Sequence, residues 1–359
     1  MVPTTPLSDL PNWKFYGEDL FILLDPLVNF SDYDGIDINT PCLKGTHYFF
    51  YKIRHLPFDK MLSARNIYLV EDREVYNFDG IHKPRFSYLK DILDYFELVG
   101  LEEKVTFLSN DISSNYSNVR HRPITSFLVN YDPPFKNPDR LLSYRKFCKK
   151  SRFLLLNRKP KIHRTEIFNF LKESDLLKHT LYSHDNYLHP QRMIQGENFV
   201  SLPLYFIKNS LINIVTETFF YYSRPIGYTS FITEKTAKCL YSMMPFIVVG
   251  PVHTLKHLKE LGYKTFDSIW DESYDDCTGD EYRMESIKNT ILQIGNWSDS
   301  QLEELIPAIN EITLFNYKRY CELYKLKDSI TTYSLDSDTH FDFVFYDELL
   351  NLAKKSNLN

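Results

Sequence analysis

Two adjacent side chains of opposite charge, Glu234 and Lys235, open the helical part of FITEKTAKCLYSMMPFIVVGP, the stretch from Phe231 to Pro251. Thr233 before them is a helix N-cap type, and an acid in the first turn is favoured by the helix dipole. That accounts for Glu234 as a capping residue. It does not account for Lys235, which opposes the dipole at that end. A lysine there makes sense facing an anion. The carboxylate would then accept from the two hydroxyls of a ribose while the ammonium meets a diphosphate.

A second charged run, NRKPKIHR, spans Asn157 to Arg164. It follows the apolar stretch RFLLLN and precedes the helical pattern TEIFNFLKESDLL. Backbone amides at a helix N-terminus favour an anion, and cations placed there deepen the effect. Arg158 can fork onto phosphate oxygens; Lys159 and Lys161 act as point charges. Asn157, Arg158, Lys161 and Arg164 are therefore donor-binding candidates. The competing reading is a solvated basic loop. A third candidate is Glu217, the last residue of SLINIVTE. At the carboxyl edge of a parallel strand it either points to a ligand, or caps a helix or pairs with a basic-loop cation.

The elements that must position these groups alternate along the chain. NIYLV (66–70), KVTFLSND (104–111) and ITSFLVNY (124–131) read as strands of a first half, with a helical period in FSYLKDILDYFELVG closed by Gly100. DPPFKNPDRLL reads as a linker. In the second half RFLLLN, SLINIVTE and PFIVVG read as strands, and HTLKHLKELG as a helix ended by Gly262. Two helical segments, SDSQLEELIPAINEITLFNYKRYCELYKL and FDFVFYDELLNLAKK, close the chain. The alternation predicts two doubly wound α/β domains, 1–145 and 146–335, with 336–359 as a C-terminal helix packing back on the first. Ligands in such sheets bind at the carboxyl ends of strands, where the topology switches.

Bulk properties narrow the classes. A chain of 359 residues suits two domains, and 43% hydrophobic with 25% charged residues is a globular composition. A net charge of −5 argues against a protein held to nucleic acid mainly by phosphate neutralisation. Local basic pieces, Lys83-Pro84-Arg85 and Arg120-His121-Arg122, could still line a groove. The five cysteines are scattered without zinc spacing, which fits reduced thiols and a cytoplasmic compartment. MVPTTPLSDLPNW has no signal-peptide character, and no apolar run reaches the length of a membrane span.

Phe231, Thr233, Glu234 and Lys235, followed by a helix and an apolar strand, resemble the donor motif of the alpha-1,3-fucosyltransferase family and related inverting transferases of the GT-B fold. The wider layout, LLLNRKPKIHR, IVTET, FITEK, FIVVGP and WDESYD, is similar to uncharacterised glycosyltransferases of phages and large viruses. The resemblance covers roughly residues 150–280. It implies a GT-B glycosyltransferase of two Rossmann-like domains facing across a cleft. Glu234 would grip the nucleotide ribose and Lys235 the diphosphate, with Arg158 as the helping arginine. Phe231 stands where the fucosyltransferases have Tyr, so their guanine preference is not carried over. The implied reaction is inverting transfer from a nucleotide-sugar, without metal or other cofactor. The implied acceptor is a glycan or a hydroxymethylated base of phage-type DNA, reached in the cytoplasm (the host's, for a virus) with no membrane. Asp32-Tyr33-Asp34 has the letters of a metal-binding DxD but lies in a polar loop, so no metal site is expected. The general base would come from the first domain, with Glu71, Asp72, Glu74 and Asp111 as candidates and Asp79 and His82 in the following loop. The alternative from another class is a non-catalytic nucleotide- or phosphate-binding module on the same fold.

Overall fold

The computed structural model describes residues 13–23, 58–71, 96–109, 120–125, 151–157, 161–184, 187–188, 204–221, 232–326 and 343–356, with a few single positions between them. These form two compact units. Both are mixed α/β and built on largely parallel sheets.

The first unit holds β1 (Trp13–Tyr16), β2 (Asp19–Leu23), α1 (Phe58–Ser63), β3 (Asn66–Glu71), β4 (Val105–Ser109), β5 (His121–Thr125) and the late strand β11 (Val344–Phe345). The sheet order is β1-β2-β3-β4-β5-β11. β2 through β5 run parallel; β1 and β11 are antiparallel edges. Alternate residues feed opposite faces. Leu20, Ile22, Ile67, Leu69, Val105 and Phe107 pack with Met61 and Phe96 on one side. Phe21, Val70, Leu108 and Ile124 pack with Phe343 and Phe345 on the other. Burial on both faces explains why β3 reads as a short apolar run.

The strand expected over 124–131 lies earlier, at His121–Thr125. Its polar start hid it from a search for apolar runs. The β1–β2 hairpin was not anticipated either. The basic triplet expected to line a groove is engaged within this unit. Arg120 pairs with Glu103, Ser109 Oγ and His121 Nε2 are 2.9 Å apart, and the Arg122 guanidinium lies 3.4 Å from the Phe345 ring centroid.

The second unit contains β6 (Phe153–Asn157), α2 (Ile162–Glu173), β7 (Thr180–His184), β8 (Tyr187–Leu188), α3 (Leu204–Asn209), β9 (Ile212–Thr216), α4 (Glu234–Tyr241), β10 (Phe246–Val249), α5 (Thr254–Glu260), α6 (Asp280–Gly295), α7 (Asp299–Leu326) and α8 (Tyr346–Lys355). Its sheet order is β10-β9-β6-β7-β8, parallel except for β8. β9 and β10 are buried at every position. The chain winds from β6 outward to β7, then returns to build β9 and β10 on the other side. The topology therefore reverses between β6 and β9. β7 and α6 had no sequence signal strong enough to be anticipated.

The C-terminal stretch, expected as one helix, divides between a strand and a helix. Its first part is strand β11, paired with β5. The helix that follows belongs to the second unit. Arg319 of α7, 2% exposed, fastens it by donating to the Ala353 carbonyl at 2.6 Å and to Ser356 Oγ at 2.5 Å. The same guanidinium donates to the Leu261 carbonyl at the end of α5.

Candidate functional site

The carboxyl ends of β6 and β9 are Asn157 and Thr216, and they touch: Thr216 Oγ1 donates to Asn157 Oδ1 at 2.5 Å. This is the topological switch point, where ligands of open parallel sheets bind. Two helices begin here, α2 after β6 and α4 after β9. α2 starts at Lys161 without a side-chain cap. α4 is capped by Thr233, whose hydroxyl accepts from the Lys235 amide at 3.2 Å.

The N-terminal residues of α2 reach across to the chain leaving β9. Lys161 Nζ donates to the Thr218 carbonyl at 2.9 Å. His163 is buried, and its Nε2 meets the Glu217 carbonyl at 2.9 Å. Burial pushes its pKa down to about 3, helped by the charges of Arg164, Lys161 and Lys235, against the hydrogen bond to Glu217. The ring is thus a neutral donor, stacked on Phe220. Arg164, also buried, donates to the carbonyls of Thr216 and Glu217 at 3.4 and 3.2 Å. Its own carbonyl accepts from Asn157 Nδ2.

Glu217 lies at the centre and is 0% exposed. Its carboxylate accepts from Thr218 N at 3.2 Å, Thr233 N at 3.3 Å, and the hydroxyls of Thr233 and Thr236 at 2.5 Å each. It ties the end of β9 to the first turn of α4. The expectation that this carboxylate points toward a ligand is corrected: it faces inward. A strand-end side chain takes the direction that satisfies its charge, and two backbone amides with two threonines satisfy this one. Asn157 and Arg164 face inward in the same way. These three residues shape the crevice from behind.

Glu234 and Lys235 form its half-buried lip, each side chain 24% accessible, with Nζ 3.0 Å from Glu234 Oε1. The Lys235 ammonium also donates to Thr218 Oγ1 and Thr233 Oγ1, both at 3.1 Å. Burial works against the Glu234 charge, but Lys235 and Lys238 outweigh it and hold the carboxyl below its usual range. Burial lowers the Lys238 ammonium despite Glu234 nearby. Behind Phe220 stands Arg283 of α6, 1% exposed. It donates to the carbonyls of Phe220 and Cys277 and pairs with Asp280 at 2.7 Å.

Of the sequence candidates, Asn157, Lys161, Arg164, Glu217, Thr233, Glu234 and Lys235 therefore converge on one crevice. Arg158 and Phe231 lie outside the described residues, as do Asp72, Glu74, Asp79, His82, Asp111 and the Asp32-Tyr33-Asp34 stretch; of Glu71 only the backbone is described. The sequence reading missed Thr218, Thr236, Lys238 and Arg283, and took His163 only as part of the basic run. The spacing of Thr233 and Thr236, an N-cap and the residue one turn on, was the available signal for a carboxylate beneath the helix start. Among the described residues no group of three His, Cys, Asp or Glu side chains could hold a metal ion. No helix among them is long and apolar enough to cross a membrane.

Fold and site together define a mixed α/β protein with a cluster of charged and polar side chains at a sheet switch point. No protein-family model and no curated protein matches the sequence. Among solved structures the chain is similar to crystal structures of alpha1,3-fucosyltransferase. The one with GDP-fucose is 11% identical, with 70% of this chain and 78% of that chain covered and a TM-score of 0.32. A second, described without ligand, is 10% identical, with 89% and 95% covered and a TM-score of 0.32. The one with GDP is 11% identical, with 71% and 92% covered and a TM-score of 0.27. Likeness at this level carries no residue-by-residue correspondence.

Proposed function

We propose that the protein is a glycosyltransferase of GT-B type that moves a sugar from a nucleotide-sugar to a hydroxyl acceptor. One observation carries the reading: Lys161 and Lys235 are both hydrogen-bonded to Thr218 at the switch point, beside the uncapped start of α2. Two ammonium groups on one residue suit a diphosphate better than a single phosphate or a neutral ligand. Glu234 on the lip suits the ribose hydroxyls. Arg158, next in sequence after Asn157, is the further phosphate ligand of this reading, and Phe231 borders the nucleotide.

Transfer breaks the bond between the anomeric carbon and the diphosphate, and negative charge builds on the leaving oxygens. Fixed cations and helix amides aimed there lower the barrier without needing to reorganise. These groups supply what a metal supplies elsewhere, so the reaction is metal-independent and persists in EDTA. The acceptor hydroxyl attacks from the opposite face, inverting the anomeric centre, and a carboxylate among Glu71, Asp72, Glu74 and Asp111 takes its proton. The acceptor class is a glycan or a hydroxymethylated DNA base.

The test is a thermal-shift panel of nucleotide-sugars, nucleoside diphosphates and nucleosides, since a ligand of the native state raises its stability. We expect a shift with one nucleotide-sugar and its diphosphate, and slow release of free diphosphate from that sugar without acceptor. Lys235→Ala should cost the diphosphate roughly 1.5–3 kcal/mol of affinity, the scale of a charge-assisted contact, and the nucleoside much less. No shift with any member of the panel refutes the function. Binding without turnover under any acceptor leaves only the non-catalytic module.

A further inference from the structure

Glu217 has no surface to offer a ligand, yet both threonines that meet the Lys235 ammonium lead back to it. Its carboxylate takes the hydroxyl hydrogen of Thr233. That leaves the lone pairs of Thr233 Oγ1 for Lys235, which they meet twice, at N (3.2 Å) and at Nζ (3.1 Å). The same carboxylate holds Thr218 through its backbone amide, and Thr218 Oγ1 is another acceptor of Nζ. Thr218 and Thr233 are 1% and 0% exposed, so both oxygens are fixed. A further partner, Glu234, is half-buried, with its side chain 24% accessible. An ammonium has three donors. Donors of this group meet buried threonines, and Glu234 is a partner that an entering phosphate oxygen can displace.

We propose that Glu217 is a positioning residue, which through Thr233 and Thr218 fixes the Lys235 ammonium where a diphosphate oxygen exchanges with Glu234. The inference rests on the reading of this crevice as a diphosphate site. The chemistry demands a carboxylate. Only an ionised acid accepts four hydrogen bonds and donates none. A glutamine would turn its amide hydrogens either on Thr233 Oγ1 and the Thr218 amide or on the Thr233 amide and the Thr236 hydroxyl. In the first case Thr233 must accept, and its own hydrogen swings toward the ammonium. In the second, donors face donors. The pocket leaves little room for escape, because the backbone around Gly250 closes on the stem. A Cβ built at Gly250 would stand 3.2 Å from Glu217 Cβ and 2.9 Å from Val248 Cγ1.

The experiment compares wild type, Lys235→Ala, Glu217→Gln and Thr218→Val. Calorimetry measures each with UDP, GDP, ADP and CDP and with the corresponding nucleosides. Thr218→Val keeps the shape and backbone bonds and removes one Nζ acceptor, so it decides the matter if Glu217→Gln fails to fold. Glu217→Gln and Thr218→Val should lower the ratio of diphosphate to nucleoside affinity at least tenfold and leave nucleoside affinity within about twofold. A merely structural role would lower stability and both affinities together, leaving the ratio unchanged. If Lys235→Ala loses the ratio while the folded Glu217 and Thr218 variants keep it, the positioning role is wrong and the diphosphate site stands. If wild type binds none of the four diphosphates, both fall.

Discussion

Glu234 holds its charge in a half-buried place because Lys235 stands 3.0 Å away and Lys238 adds its field. Either its role ends there, as a helix-start acid with an ion-pair partner, or it also grips a ribose. Glu234→Gln separates the two. A ribose ligand predicts weaker ribonucleotides, by roughly 1.5–3 kcal/mol for a charged acceptor lost, and 2′-deoxynucleotides little changed. Competition binding with matched pairs reads this directly; equal losses would make Glu234 a helix-start residue alone. The sequence showed where Glu234 and Lys235 sit, because charge next to an N-cap threonine is a local pattern. It did not show that Thr218, remote in sequence, shares their hydrogen bonds.

Among the elements, the end of α5 shows how one glycine serves two demands. Gly262 has φ +83°, and a Cβ there would come within 2.8 Å of the Arg319 guanidinium. That guanidinium joins α5, α7 and α8. Gly262→Ala therefore strains the backbone and displaces the fastener of α8. A cost of roughly 2–4 kcal/mol is expected, from a left-handed alanine plus a disturbed buried arginine. Hydrogen exchange should show α8 losing protection first, and an unchanged melting curve would refute the account. The sequence marked Gly262 as a helix end and α7 as a long helix. It could not show that the two meet through Arg319, since a buried arginine and an exposed one look alike in a helical pattern.

At the scale of the molecule, two buried groups bend the pH profile of stability in opposite directions. Burial raises the Glu272 carboxyl from 4.5 to about 7, against a hydrogen bond from the Phe266 amide. The unfolded acid ionises more readily, so this group's contribution is full below about pH 4.5 and is lost as pH rises toward 7. His163 is the reverse: lowered from 6.5 to about 3 by burial, it contributes fully above pH 6.5 and loses that as pH falls toward 3. Glu272→Gln should remove the first slope and stabilise the protein at pH 8 by on the order of 2–3 kcal/mol. Denaturant melts of both proteins at pH 5 and pH 8 test it; parallel profiles would show that Glu272 is not the group. The proposed transfer draws its general base from the first half of the chain, which mutation tests. Alanine at Glu71, Asp72, Glu74 and Asp111 should leave nucleotide binding intact, and at least one should lower turnover roughly a hundredfold or more. Four fully active variants would place the base elsewhere.

Residue order by itself determined the α/β class, because apolar runs of strand length bounded by polar turns admit few other folds. RFLLLN, SLINIVTE and PFIVVG each became strands of one parallel sheet. It also determined that a helix begins at Glu234, since capping is a contact between near neighbours. Tertiary structure decided what pattern cannot carry. It turned Glu217, Asn157 and Arg164 inward, because a buried polar group takes whichever direction supplies its partners, and those partners come from other strands and helices. It drew the polar strand His121–Thr125 into the first sheet beside β4 and added Val344–Phe345 from the far end of the chain, pairings between distant segments that no local period records. The crevice was legible as a set of charges. Which of them turn inward and which stay partly accessible was decided by the reversal of the sheet between β6 and β9, which brings Lys161 and Lys235 to the same threonine.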